Sequence, residues 1–463
     1  MTYRLAWLLA AVLAMAGTAH AAAGAGTAAA PAEAGLAQAA TDFFKDAGPG
    51  GVVLVTRGDR VLLRQAYGMS DVENGVPMQP ESALRLASVT KQFTAVAVLQ
   101  LVQAGKLDLE ATLLSLDPAL HGPLAKVTIR QLLTHTSGIK NVSSIPASRA
   151  ARREDTDAMR LIGYFQDLPL EFAPGTRFRY SNSNYIVLTH LIERLTGQPH
   201  AAYMQQAIFQ PLGMTHTRYD DHLALIPHRA HGYRRAGQAL QNADFISMSQ
   251  PQGAGGLISS VDDLAIWHRA LRDATLLPAA ALAQAMAKTR LADGTLSPYG
   301  FGWIIGQANG LPDVEHGGFI NGFNSYVVRI GEPDVFVAVL TNAEFLDPTT
   351  LAVRLAAMAA GRPYAGTDPA PALPPGRTGQ YRFADGARTL ARVDGRLQLQ
   401  RDGEDALPLQ AHEDGRYYLD GGLDALSFGQ DRAGRPTMTL HDRLMGDSTG
   451  VREANAATGS TVP

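Results

Sequence analysis

Apolar positions change their spacing several times along the chain. Val52-Val53-Leu54-Val55 and Val61-Leu62-Leu63 flank Arg57-Gly58-Asp59-Arg60, a turn sequence with Asp and Gly, and predict a hairpin over residues 51–67. From residue 88 the spacing turns helical. Phe93, Val96, Ala97, Leu101 and Ala104 form one face, and Ala95, Val98, Leu99 and Val102 add apolar surface on the others. A helix apolar nearly all round is a buried helix, and Gly105 stands where a glycine stops one. Further helices are expected at residues 129–133, 185–195 and 261–271, and β-rich stretches at 301–305, 325–330 and 335–341. Leu36, Ala39, Ala40, Phe43 and Phe44 place the first ordered segment near residue 36. The order is β, then a long helical middle, then β again. This predicts an α+β domain over residues 35–360, with an antiparallel sheet drawn from both ends of the domain and flanked by helices.

Residues 361–375 contain Pro363, Pro369, Pro371, Pro374 and Pro375 and read as a linker. After it come short strand-like runs at 380–383, 389–393, 396–400, 416–419, 423–428 and 437–440, punctuated by Asp385-Gly386, Asp394-Gly395 and Asp414-Gly415. A small antiparallel β-barrel or sandwich over residues 376–445 is expected, followed by a disordered tail at 446–463. At the other end, Arg4, an apolar run over residues 6–16 and Ala19-His20-Ala21 read as a cleaved signal peptide, residues 1–21. The apolar run is shorter than the ~20 residues of a membrane span. Residues 22–34, rich in Ala, Gly, Pro and Thr, read as a flexible tether. The mature chain is therefore expected in a bacterial periplasm or outside the cell, with no transmembrane anchor after cleavage.

Composition narrows the chemistry. Hydrophobic residues are 46% and charged ones 18% of 463, enough for a substantial core. Lys+Arg is 40 against Asp+Glu 43, so the charge of a nucleic-acid binder is absent. Cys is 0, which removes disulfides, thiolate metal sites and a cysteine nucleophile. No His-Glu-x-x-His occurs, and His228-Arg229-Ala230-His231 is an isolated loop-like pair, so no metal and no cofactor are expected.

Three short motifs remain. Ser88-Val89-Thr90-Lys91 fits S-x-x-K with Ser88 opening the buried helix and Lys91 about one turn on. A serine there gains from the positive end of the helix, and an apolar environment favours a neutral lysine that can act as a base. An N-cap serine beside a snorkelling lysine would show the same letters. Ser137-Gly138-Ile139-Lys140 also fits, but no helix fixes its geometry. Gly446-Asp447-Ser448-Thr449-Gly450 fits G-x-S-x-G, yet no downstream histidine completes a triad. Tyr180-Ser181-Asn182 follows the Pro174-Gly175 turn and an expected short strand at 176–179, and precedes a helix. His316-Gly317-Gly318 precedes Phe319 and a β-rich segment, and its glycines allow close approach to the backbone. Turn chemistry and an ordinary loop are the plainer readings of these last two. His135 is expected to hold a loop.

The order and spacing of the three motifs resemble the penicillin-recognising serine hydrolases. The nearest branch holds class C β-lactamases, DD-carboxypeptidases, D-aminopeptidases and related esterases. The resemblance runs from about residue 51 to 342. It includes Leu132-Leu133-Thr134-His135-Thr136-Ser137-Gly138, Pro174-Gly175-Thr176-Arg177-Phe178, Pro211-Leu212-Gly213-Met214 and Gly253-Ala254-Gly255-Gly256-Leu257. It implies a sheet flanked by helices with an all-helical subdomain, and an acyl-enzyme mechanism. Ser88 would be the nucleophile, with Lys91 and Tyr180 sharing the protons. Asn182 would bond the substrate carbonyl and Lys91. Backbone amides of Ser88 and Phe319, the latter placed by Gly318, would form the oxyanion hole, and His316 would border the cleft. β-Lactamases carry Lys-[Ser/Thr]-Gly where this chain has His-Gly-Gly, so carboxylate affinity and penicillin hydrolysis are expected to be weaker. Small amides or esters are the expected substrates, D-amino-acid peptides foremost. A carboxylesterase, a weak class C-like β-lactamase and a non-catalytic peptidoglycan-peptide binder are the alternatives, and the oligomeric state is open.

Overall fold

The computed structural model describes residues 31–367, 372–419 and 422–453. The expected signal peptide and residues 22–30 of the expected tether lie outside them. Helix α1 (Pro31–Phe43) starts inside the segment read as tether. Pro31 suits a first helical position, and Leu36 and Ala40 bury one face.

The centre is a six-stranded antiparallel sheet. Its strands are β1 (Gly51–Arg57), β2 (Arg60–Tyr67), β3 (Ile304–Ala308), β4 (Leu311–Ile320), β5 (Phe323–Ile330) and β6 (Val335–Thr341), in the order β3-β4-β5-β6-β1-β2. The early and late strands of this domain meet where β1 pairs β6, Val53 opposite Val339. Strand alternation splits β1 between two cores. Val53 and Val55 join α1 and the helix α5 (Thr349–Ala359), with Leu355, on one side. Val52 and Leu54 face the larger helical half on the other.

That half is built round α2 (Thr90–Gln103), buried on almost every face. It packs beside α3 (Asn182–Thr196) and α4 (Val261–Arg272), and the Phe93 and Trp267 rings stack at 4.2 Å. The expected helix at 88–104 begins with a 3-10 turn (Ala87–Val89) that holds Ser88, and the α-helix proper starts at Thr90. The described residues contain no helix long and apolar enough to cross a membrane.

Three expectations change. Residues 176–179 are not a strand; the Arg179 amide donates to the His135 carbonyl oxygen. His316-Gly317-Gly318 precedes the strand β5 as expected, but is not a loop before it: the motif itself lies inside β4. The glycine pair hid this, because glycine normally weakens strands. The C-terminal segment is a closed eight-stranded barrel: β7 (Gly379–Phe383), β8 (Gly386–Val393), β9 (Arg396–Arg401), β10 (Leu407–Ala411), β11 (Tyr417–Leu419), β12 (Ala425–Gln430), β13 (Pro436–Asp442) and β14 (Gly446–Arg452). Residues 446–452, expected in a disordered tail, are the strand that closes the barrel, with Tyr381 opposite Arg452. Its polar sequence gives no alternation. Gly450 is required there, since a Cβ would meet the Phe383 ring at 2.4 Å. Residues 454–463 of the expected tail lie outside the described residues.

Candidate active site

Ser88 sits on the turn entering α2, partly exposed in a cleft. The preceding Ala87 has φ 46°, a left-handed conformation costly for a residue with a Cβ. Lys91 is fully buried one turn on. Its Nζ is 3.1 Å from Ser88 Oγ, 2.8 Å from Asn182 Oδ1 and 2.7 Å from the Ala254 carbonyl oxygen. Burial holds its pKa well below the ordinary lysine value. Asn182 opens α3, its amide nitrogen donating to Ser143 Oγ at 3.2 Å. Ala254 arrives on a glycine-rich turn that nothing larger could bring so close. A Cβ on Gly253 would lie 2.5 Å from Thr189 Oγ1 and 2.8 Å from Thr94 Oγ1.

Tyr180 covers the same lysine, with Nζ 4.7 Å from its ring centroid. Its hydroxyl is buried with no partner at full hydrogen-bond geometry. Burial raises its pKa, and the neighbouring Ser88 side chain only partly opposes this. His135, at φ 56°, is packed 4.3 Å from the Tyr180 ring and 4.7 Å from that of Tyr299. Its Nδ1 accepts from the Ser181 amide at 3.3 Å and lies 3.0 Å from Asn184 Nδ2. This ties the loop before α3 to the helix, the role expected for it. The competing Ser137 is buried and bonded to Asn184 Oδ1 at 2.6 Å, so it is structural.

His316 is buried, with its pKa pushed down to about 3 by burial and by Lys91. Nδ1 lies 2.6 Å from the Gly317 carbonyl oxygen, which only accepts, so Nδ1 carries the proton and Nε2 accepts from the Tyr299 hydroxyl at 2.8 Å. The ring is neutral, 6.1 Å from that of Tyr180. Strand β3 pairs with β4 only as far as Glu315. Beyond it, β4 runs against the Ser88 turn. A Cβ on Gly318 would lie 2.2 Å from the Leu86 carbonyl oxygen and 3.0 Å from the Ser88 nitrogen. Phe319 follows, 62% exposed, so it is the backbone that this contact places.

The cleft wall includes Ser143, Arg149, Arg152, Gln250 and Phe319, and no Asp or Glu. Arg152 pairs with Asp244 at 3.1 Å. Apart from the cleft, Asp71, Glu73 and His231 place one ligand atom each within 4.8 Å of one another. Asn74 already donates to Asp71, and Tyr233 to Glu73.

The family model described as Beta-lactamase matches residues 35–362. The chain belongs to the beta-lactamase family. A D-aminopeptidase of Gluconobacter oxydans (strain 621H) is 29% identical over 329 residues, covering 68% of this chain and 60% of its own length. The chain thus spans less than two thirds of that relative. Among solved structures, a D-stereospecific amidohydrolase from Streptomyces sp. has a TM-score of 0.62 and 25% identity, over 70% of this chain and 98% of its own. The octameric penicillin-binding protein homologue from Pyrococcus abyssi, 22% identical with a TM-score of 0.62, shares the fold over 91% of this chain and 99% of its own.

The structure brings Ser88, Lys91, Tyr180 and Asn182 together, with His316 and Gly318 packed behind them. Sequence reasoning missed Tyr299, the Ala254 carbonyl and the two arginines. A backbone oxygen has no letter, though the run Gly253-Ala254-Gly255-Gly256 marked its approach. Tyr299 and the arginines carried no signal.

Proposed function

We propose that this exported enzyme hydrolyses small amides or esters through an acyl-enzyme on Ser88, with D-amino-acid-containing peptides as the leading substrates. The observation that carries this is the bonding of Lys91. Asn182 Oδ1 and the Ala254 carbonyl oxygen can only accept, so a neutral amine donates its two hydrogens to them. Its lone pair is then left for the Ser88 hydroxyl at 3.1 Å.

Ser88 Oγ attacks the substrate carbonyl carbon as its proton passes to Lys91 Nζ. The developing oxyanion is held by the amides of Ser88 and Phe319, each such donor contributing ~3–4 kcal/mol. The Tyr180 hydroxyl gives its proton to the leaving nitrogen or oxygen, and the C–N or C–O bond breaks. The phenolate is reprotonated from the Lys91 ammonium. Water then attacks the acyl carbon by the same route, and Ser88 leaves with its proton restored.

The D-stereochemistry is supported by the D-aminopeptidase and D-stereospecific amidohydrolase relatives. Within that class the cleft favours an anionic substrate end. The Arg149 side chain makes no ion pair or hydrogen bond among the described residues, and no acid lines the cleft to meet a free ammonium. A peptide whose carboxylate reaches Arg149 suits this wall, the DD-carboxypeptidase-like form of the reaction. Neutral His316 brings no charge to the third motif, which argues against efficient penicillin hydrolysis. The test is a panel of D-aminoacyl anilides, N-acyl-D-alanyl peptides, short acyl esters and nitrocefin against the purified mature chain. Turnover is expected first on the N-acyl-D-peptides. Turnover of esters alone favours the esterase reading. No turnover of any of them, with no covalent labelling of Ser88, favours the non-catalytic binder.

A further inference from the structure

One of the barrel's contacts with the catalytic half is heavily charged. The turn joining β13 and β14 carries Arg443, whose guanidinium enters the back of β4. Its Nη1 and Nη2 donate to the two oxygens of Glu315 at 2.7 and 2.6 Å, and Nη2 donates to Asp313 Oδ2 at 3.0 Å. Its Nε reaches the Gln307 carbonyl oxygen at 3.3 Å. Both carboxylates are fully buried and the arginine is 10% exposed. Lys288 Nζ donates to the Leu444 carbonyl oxygen in the same turn. Gly306 makes room for the tip, since a Cβ there would lie 2.9 Å from Asp313 Oδ1 and from Leu444 Cδ2.

Glu315 immediately precedes His316. Its other bond is from the Tyr326 hydroxyl, 2.8 Å from Oε1, and the Tyr326 ring packs against Gly317, where a Cβ would meet it at 2.9 Å. The two glycines of the motif therefore serve opposite faces. Gly318 admits the Ser88 turn in front, and Gly317 admits the Tyr326 ring behind. The chain of contacts from the barrel runs Arg443, Glu315, Tyr326, Gly317 on the back of the same strand segment whose His316 and Gly318 pack on the other side, behind Ser88 and Tyr180.

We propose that Arg443 is a positioning residue for hydrolysis. Through Glu315 the barrel fixes the part of β4 that carries His316, Gly318 and the Phe319 amide. This rests on the reading of the Phe319 amide as an oxyanion donor. A single guanidinium facing two buried carboxylates is not a neutral ornament. Removing it leaves buried charge without a partner, a strongly destabilising change that the strand must relieve by moving or by taking up protons. Burial and Glu315 already push the Asp313 pKa up to about 7. A shift near 1 Å in a catalytic donor is enough to lower turnover by about 10²-fold.

The test uses the full chain with Arg443→Met, Arg443→Lys, Glu315→Gln and the double variant Arg443→Met with Glu315→Gln. For each, kcat and KM are measured on the best substrate of the panel, with the rate of Ser88 labelling by a fluorophosphonate and the melting temperature. Arg443→Met is expected to lower kcat and labelling by about 10- to 100-fold with KM changed by less than about 3-fold. Arg443→Lys should fall between it and the parent. The double variant should recover part of the loss, because neutral Gln no longer needs a counter-charge. Parental kcat in folded Arg443→Met overturns the proposal, as does a loss that follows only the unfolded fraction. If Arg443→Met does not fold, Glu315→Gln decides: reduced kcat supports the proposal and unchanged kcat overturns it. Labelling of the parent chain at Ser88 separates the cases. If it fails, the acyl-enzyme reading fails. If it succeeds while the variants stay indifferent, only the role of Arg443 falls.

Discussion

Lys91 Nζ lies 3.1 Å from Ser88 Oγ in a fully buried position, and no ion pair to this lysine exists among the described residues. A buried amine without a counter-charge is held neutral by desolvation. That cost to folding is what would let the amine serve as the base in the proposed reaction.

Lys91→Met should lower turnover by ~10²–10⁴-fold, the usual contribution of a positioned base. Its effect on stability has a definite sign. Burial lowers the lysine pKa in the folded chain, against about 10.4 unfolded. Between those values the unfolded chain holds a proton that the folded chain has lost, so stability rises with pH across that window. Urea melts at several pH values should show this slope in the parent and a flatter one, with higher neutral-pH stability, in Lys91→Met. His316, with its pKa near 3, should add to that rise of stability with pH below the unfolded histidine value of about 6.5, and should contribute no limb to the pH–rate profile between pH 5 and 8.

Tyr180→Phe removes a hydroxyl that is buried without a well-formed bond. Turnover should fall by ~10²–10⁴-fold, as for a lost general acid. The melting temperature should stay level or rise, because an unsatisfied buried polar group costs ~1–3 kcal/mol. A fall of several degrees in calorimetry would mean that the hydroxyl is bonded after all.

Gly318→Ala places a methyl 2.2 Å from the Leu86 carbonyl oxygen and 2.5 Å from Ser325 Oγ. The strand must move away from the Ser88 turn, and kcat should drop by about 10²-fold. Gly331→Ala, in the turn joining β5 and β6 with open space around it, serves as the control and should leave kcat unchanged.

Arg149→Gln should raise KM about tenfold for peptides with a free carboxylate, equivalent to ~1.4 kcal/mol, and leave neutral esters unaffected. Equal KM changes in both classes would remove Arg149 from substrate recognition.

The strand Val335–Thr341 and the buried helix behind Ser88 were legible because an uninterrupted apolar run or an apolar girdle has few other ways to be buried. Ser88, Lys91, Tyr180 and Asn182 were legible as motifs, and the structure adds their convergence. Strand β4 was hidden by Gly317 and Gly318, whose lack of side chains serves close packing on both faces rather than a loop. β10 was hidden by Pro408, and β14 by Asp447, Ser448 and Thr449, because an exposed strand of a small barrel needs little apolar alternation. The bonds of Tyr299 to His316 and of Arg443 to Glu315 join residues 17 and 128 positions apart, and local pattern carries no record of either.

The most direct measurement is rapid quenching of the wild-type chain during turnover of a D-amino-acid ester, followed by peptide mass spectrometry. An acyl group on the peptide containing Ser88, formed and lost at the rate of turnover and absent in Lys91→Met, is the expected result. Steady hydrolysis with no acyl group on Ser88, or hydrolysis retained in Ser88→Ala, would contradict it.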